Sequence, residues 1–258
     1  MGKTKITGAV LVAGLLISVP GLLICVLGCA KDSANLPAPK QYPIYTSYQK
    51  IPGVSAEEIE AIDALKKRNG PFIYGMNLTT ETFYDENGDI QGYSALFCEW
   101  LSELFGIPFK PAVYEWGDLI DGLAGGTVDF TGELTATEER REKYFMTDAI
   151  AERSIKYMRL QGSESLSTIQ AVRPLRYAFL EGATTPGLVS PHITGDFEII
   201  YIDDYDDAYA MLKNGDIDAF FEEGIVEAAF DGYGDVRAEE FFPLIYGQVS
   251  FTAQKSAL

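Results

Sequence analysis

The chain has 258 residues, 47% of them apolar, which suffices for a globular core and argues against a disordered polymer. Its formal net charge of −18 repels phosphate backbones and anionic headgroups, which excludes nucleic acid and an acidic lipid surface as partners. With a single histidine, His192, and three cysteines there is no His- or Cys-rich metal site and no disulfide scaffold, and no cofactor is expected.

Lys3 and Lys5 precede an almost uncharged apolar run from Ile6 to Gly28. A basic start followed by an apolar stretch is the pattern of an export signal. At roughly 20 residues the run is also long enough to span a bilayer. It ends in Val26-Leu27-Gly28-Cys29, which resembles a bacterial lipobox, so Cys29 is the expected lipidation site. The alternative is an uncleaved anchor helix with an incidental cysteine. Either way the remainder is expected outside the cytoplasm, attached to the membrane by its N-terminus. Removing residues 1–28 takes away two lysines and no acid, so the net charge moves from −18 to −20.

Residues 30–54 carry Pro37, Pro39, Pro43 and Gly53 without an apolar period and read as a flexible tether. Ser55-Ala-Glu-Glu58 is a capping box, with Ile59, Ile62 and Leu65 at helical spacing and Asn69-Gly70 as the stop. Phe72-Ile73-Tyr74 predicts a strand, and Asn87-Gly88 between Phe83-Tyr84 and Ile90 predicts a hairpin. An amphipathic helix is expected over Tyr93 to Phe105, where Cys98 takes a buried position as an inert thiol. Gly106 and Pro108 end it, and strand Phe109–Val113 follows. Strands alternating with helices at this spacing imply an α/β architecture with largely parallel sheets.

An internal echo follows. Leu123-Ala-Gly-Gly-Thr-Val128-Asp129-Phe130 and Leu212-Lys-Asn-Gly215-Asp-Ile217-Asp218-Ala-Phe220 each read as a helix end, a glycine stop and a strand that begins Val/Ile-Asp. Each copy sits in its own βα series, which implies two similar lobes. Ligands of open α/β sheets bind beyond the carboxyl ends of strands. Those ends are Thr131-Gly-Glu133-Leu-Thr135 and Phe221-Glu222-Glu223.

Asn87-Gly88-Asp-Ile-Gln-Gly92-Tyr93, Gly106-Ile107-Pro108, Trp116-Gly-Asp-Leu-Ile120, Gly126-Thr-Val-Asp129 and Thr135-Ala-Thr137-Glu138-Glu139-Arg140 occur in a telling order. Together with Phe145-Met-Thr147-Asp148, Glu181-Gly182-Ala-Thr184-Thr185 and Ala219-Phe-Phe-Glu222, this order resembles the family 3 periplasmic solute-binding proteins. That group includes amino-acid receptors of ABC importers and sensing domains of receptor histidine kinases. The resemblance, from about Phe72 to Lys255, implies a two-lobed Venus-flytrap fold of type II, with crossings between lobes near Leu160 and Tyr246. It divides the chain into a signal or anchor over 1–28, a tether over 29–54, a first lobe over 55–160 with 247–258, and a second lobe over 161–246. The closing helix of the first lobe is expected beyond Leu258, and the first lobe should present an apolar strip where that helix packs.

The resemblance also implies roles. Arg140 grips a ligand carboxylate and Thr135 bonds the same end, Trp116 supplies an apolar wall, and Thr184 donates from the second lobe. Glu222 stands where an acid binds an α-ammonium group, while Asn77 and Thr80 occupy the first pocket loop. The guanidinium fork of Arg140 suits a carboxylate, and Thr137 as N-cap adds a helix start that favours an anion. Glu133 stands where relatives carry a small hydroxyl residue, and Ala183 replaces one of a hydroxyl pair. The implied function is capture of an amino acid or related amine for an ABC permease. The alternative is a ligand-sensing module fused to a signalling domain. Glu133 and Glu222 offer a carboxylate pair, yet no nucleophile–base arrangement accompanies them, so enzymatic activity is not expected.

Overall fold

The computed structural model describes residues 45–255. The apolar leader, Cys29 and most of the expected tether lie outside the described residues. Order begins before the tether was expected to end. In the 3₁₀ turn Tyr48–Lys50, Tyr48 is buried, stacks on Phe105 with centroids 5.9 Å apart, and donates its hydroxyl to Asp63 at 2.7 Å. An aromatic ring with an apolar neighbour and a partner for its hydroxyl repays its ordering.

Helix α1 (Ala56–Leu65) starts on the predicted capping box: Glu58 N–H donates to Ser55 Oγ at 3.1 Å and Ser55 N–H to the Glu58 carboxylate at 2.8 Å. Such a cap contributes about 1 kcal/mol. Strand β1 (Phe72–Met76) leads to the hairpin β2 (Phe83–Tyr84) and β3 (Ile90–Gln91), which turns at Asn87-Gly88. Then come α2 (Tyr93–Phe105), β4 (Phe109–Val113), α3 (Trp116–Gly125), β5 (Phe130–Leu134) and α4 (Glu138–Lys143). The long β6 (Tyr144–Leu160) is followed by α5 (Leu166–Gln170), β7 (Leu175–Leu180), α6 (Thr185–Val189), β8 (Phe197–Ile202), α7 (Tyr205–Asn214) and β9 (Ala219–Glu223). A 3₁₀ segment, Gly224–Tyr233, precedes β10 (Val236–Glu240) and β11 (Tyr246–Gln254).

Two parallel groups share one continuous hydrogen-bonded path, β4-β1-β5-β11-β6-β9-β7-β8. β1 pairs β4 and β5 in parallel, and β7 pairs β8 and β9 in parallel. The strands between the groups depart from the parallel expectation: β11 runs antiparallel to β5 and β6, and β9 and β10 run antiparallel to β6. β6 serves both groups. Tyr144 through Ser154 face β11, and Ile155 onward faces β9 and β10. The change of partner therefore falls N-terminal to Leu160, where a crossing was expected. At the same level Ile155 N–H donates to Ile245 O at 2.9 Å, just before β11 begins.

The echoed segments have matching backbones. α3 and α7 both end on a left-handed glycine, Gly126 at φ 78° and Gly215 at φ 73°, a conformation that a side chain resists. Each glycine is followed by a buried aliphatic residue, Val128 or Ile217, and then by an aspartate that turns back to the neighbouring strand.

The first lobe has an aromatic core of Phe72, Tyr74, Leu101 and Phe109 with Cys98, whose thiol is pushed up to about 12 by burial, in keeping with an inert role. The second is built around Leu175, Tyr177, Phe179 and Phe221, and a larger cluster from Trp116 and Leu119 to Phe220 and Phe230 joins the two. Each fully buried side chain of this size contributes about 1.5–3 kcal/mol. The first lobe also presents a largely apolar groove of about 450 Å³ lined by residues that include Ile62, Leu65, Phe97, Trp100, Ile150 and Phe251. Among the described residues no helix is long and apolar enough to cross a membrane.

Candidate functional site

Strands β1, β5, β7 and β9 all point their carboxyl ends at the junction of the lobes, and the last residues of the strands, with the loops and helix starts that follow, carry the polar side chains. Asn77, Trp116, Glu133, Thr135, Arg140, Thr184 and Glu222 line one narrow cavity there. Its volume is about 30 Å³, comparable with the share of one water molecule. Outside it the same Trp116, Arg140 and Thr184 border a wider groove of about 960 Å³ between the lobes.

The lobes touch through specific bonds. The Trp116 indole N–H donates to Glu181 O at 2.9 Å, so its wall is also a latch. Arg140 donates from Nη1 to Thr135 O at 3.0 Å in its own lobe and from Nη2 to Gly182 O at 2.9 Å in the other. Its position is set by α4, whose N-cap Thr137 Oγ1 accepts from Arg140 N–H at 3.1 Å. Burial lowers the Arg140 pKa, and among the described residues the guanidinium forms no ion pair. A half-buried guanidinium that bonds only neutral carbonyls is ready for a carboxylate.

Thr80 is not brought into the cavity. Its loop folds back through mutual backbone bonds of Thr79 and Thr82, which turns Thr80 outward, where its N–H donates to Ile225 O at 2.8 Å. The loop instead sends Glu81 to Arg153 on β6. Asn77 is buried and donates from Nδ2 to Tyr114 O at 3.0 Å, which ties the end of β1 to the turn before α3.

Carboxylates dominate the floor. Glu133, on β5, is 8% exposed, and Glu222, on β9, is 7% exposed. Arg153, from β6, stands among them. It donates from Nη1 to Glu133 and to Glu223, each at 2.8 Å, and from Nη2 to Glu81 at 2.7 Å. Burial works against the Arg153 charge, but Glu133, Glu223 and Glu81 outweigh it and hold its pKa above the ordinary value. Burial raises the Glu133 pKa against the pull of Arg153. Glu222 is pushed up to about 8, first by burial and then by the neighbouring Glu223 charge. Glu223 is pushed up to about 7 by burial, with Arg153 opposing. Glu222 Oε1 accepts from Glu223 N–H at 2.9 Å, whereas Glu222 Oε2 and Glu133 Oε1 are buried with no hydrogen-bond partner. Among the described residues no group of His, Cys, Asp or Glu is arranged to hold a metal ion.

Sequence reasoning missed Arg153, Glu81 and Tyr205. Tyr205 lines the cavity from α7. Arg153 shares its strand with Asp148, Glu152, Lys156 and Arg159, so nothing local marks it as the buried cation.

The sequence model of the bacterial extracellular solute-binding proteins, family 3, matches residues 75–235. Among solved structures, holo ArgBP from T. maritima is 21% identical, with a TM-score of 0.57 over 76% of this chain and 87% of that one. An ancestral arginine-binding protein bound to glutamine is 19% identical, with a TM-score of 0.58 over 73% and 85%. The amino acid ABC transporter substrate-binding protein AbpA from Streptococcus pneumoniae, bound to L-arginine, is 12% identical, with a TM-score of 0.58 over 77% and 85%. At these identities the likeness is one of fold. A search of curated protein sequences gave no match.

Proposed function

Since this chain belongs to the bacterial extracellular solute-binding proteins, family 3, and has their two-lobed type II fold, we propose that it captures a small amino acid or related amine between its lobes for ABC-type import. Members of the family are extracytoplasmic binding proteins. The observation that carries the reading is one cavity that holds a guanidinium bonded only to neutral carbonyls and two carboxyls that each keep one oxygen free. Arg140 has no ion pair, and Glu222 and Glu133 each keep a partnerless oxygen. Opposite charges at opposite walls suit the two ends of a zwitterion. In this reading Arg140 and Thr135 take the carboxylate, Glu222 takes the ammonium, Trp116 packs the side chain, and Thr184 and Asn77 contribute polar contacts. Lipid attachment at Cys29 holds the protein near its permease.

The excess of acids sets a preference. A carboxylate beside a low-dielectric cleft attracts cations and repels acidic side chains. The L-arginine bound in AbpA and the glutamine bound in the ancestral arginine-binding protein accord with this preference. Calorimetry with L-arginine, L-lysine, L-glutamine and L-glutamate tests it. Tighter binding of the basic and neutral ligands than of glutamate is expected. A preference for glutamate, or binding of sugars in place of amino acids, would overturn the reading.

A further inference from the structure

Glu133 and Glu222 line the same small cavity, and each keeps one buried carboxyl oxygen, Oε1 and Oε2 respectively, with no hydrogen-bond partner. The charged and titratable groups around them come from every packed element. Glu81 follows β1, Arg140 lies on α4, Arg153 on β6, Tyr205 on α7 and Glu223 beside Glu222 on β9. Arg153 spends its fork on Glu81, Glu133 and Glu223, and Arg140 is committed to carbonyls. No guanidinium hydrogen-bonds Glu222: Arg153 only partly offsets its burial through space, and Lys156, opposite it on β6, sends its ammonium to Glu227 and Glu240. A buried carboxylate without a bonded counter-charge is relieved in one of two ways, by a proton or by another cation.

We infer that the cleft is a proton-exchanging site: Glu222 carries a proton in the ligand-free protein, and the cationic group of the ligand replaces that proton, which leaves for solvent. The inference rests on the amine-binding reading above and adds a regulation to it. The exchange balances, because one positive charge enters as one leaves, so the buried cluster keeps its net charge. The upward displacement of Glu222 to about 8 accords with the geometry. Apparent affinity should then rise with pH, by about tenfold per pH unit below the carboxyl's pKa, and level off above it.

Two measurements on the full chain test this. Calorimetry of L-arginine binding near neutral pH, in buffers of different ionisation enthalpy, should report release of about one proton per ligand. Infrared spectra without ligand should show a protonated-carboxyl component that persists above the Glu223 value of about 7 and titrates near 8 in the wild type, is lost in Glu222→Gln and is retained in Glu223→Gln. Binding with no buffer dependence, or absence of that component, would overturn the exchange while leaving amine binding intact. Failure of every amino acid to bind would instead sink the functional reading, and the infrared component would still decide whether Glu222 holds a proton.

Discussion

Asp129 and Asp218 hold the same station in the two lobes. Asp129 Oδ2 accepts from Ile73 N–H at 2.8 Å, and Asp218 Oδ2 accepts from Arg176 N–H at 2.8 Å. The backbone answers in kind, with Asp129 N–H donating to Ile73 O at 3.0 Å and Asp218 N–H to Arg176 O at 2.8 Å. Each carboxylate also meets an arginine from just before the neighbouring strand, Arg68 at 2.5 Å and Arg173 at 2.6 Å. The aspartate therefore registers the strand after the glycine stop against the first strand of its own lobe.

Asp218→Ala should destabilise the second lobe by about 2–3 kcal/mol, the scale of charge-assisted bonds to a buried carboxylate. Asp129→Ala should cost less, because the Asp129 side chain is more open to water and meets one arginine where Asp218 meets two. Urea denaturation of the two variants measures the order. Equal losses near zero would mean that the stations are incidental.

Arg140→Ala should weaken amino-acid binding at least tenfold, about 1.4 kcal/mol, with the circular-dichroism spectrum unchanged. Removing the guanidinium also deletes the bonds to Thr135 O and Gly182 O, so the variant should spend more time open in solution scattering without ligand.

Much of the scaffold was legible because its punctuation is local. Ser55 with Glu58, Asn87-Gly88, Gly106 and Gly126 each mark a boundary within a few residues of the chain. The pocket was legible where side chains follow strand ends, which is how Glu133, Thr135 and Glu222 come together. Thr80 was misplaced because its loop folds back on itself through backbone bonds that side-chain chemistry does not announce. Arg153 was not legible for a different reason. Its partners, Glu81, Glu133 and Glu223, are far apart in sequence and meet only after both lobes have formed.

Arg153→Met should be strongly destabilising, by about 3–5 kcal/mol, because it strands buried acids without a counter-charge. Arg153→Lys should recover only part of the loss, since an ammonium lacks the planar fork that bonds three carboxylates at once. Thermal unfolding of both variants across pH checks this, and acid should narrow the deficit as the stranded carboxylates protonate.

Ligand-free stability should fall as pH rises between the ordinary carboxylate value, 4.5, and about 8. The unfolded chain loses the Glu222 and Glu223 protons near the ordinary value, whereas the folded chain keeps them until about 8 and about 7. Across that window the folded state binds more protons, so each upward step in pH favours unfolding. Glu222→Gln should flatten the slope. Urea midpoints across the window read it directly, and a rising wild-type profile would contradict the assignment.

The small volume of the cleft carries a kinetic consequence. An amino acid can lodge first in the wider groove beside Trp116, Arg140 and Thr184, but it reaches Glu133 and Glu222 in the inner cavity only in molecules whose lobes have parted. Observed association should then saturate as solute concentration rises, at a ceiling equal to the parting rate. The measured dissociation constant is correspondingly enlarged by the scarcity of the parted form. Weakening the Trp116–Glu181 latch should raise that ceiling, so the indole that walls the pocket also sets how often it can be filled.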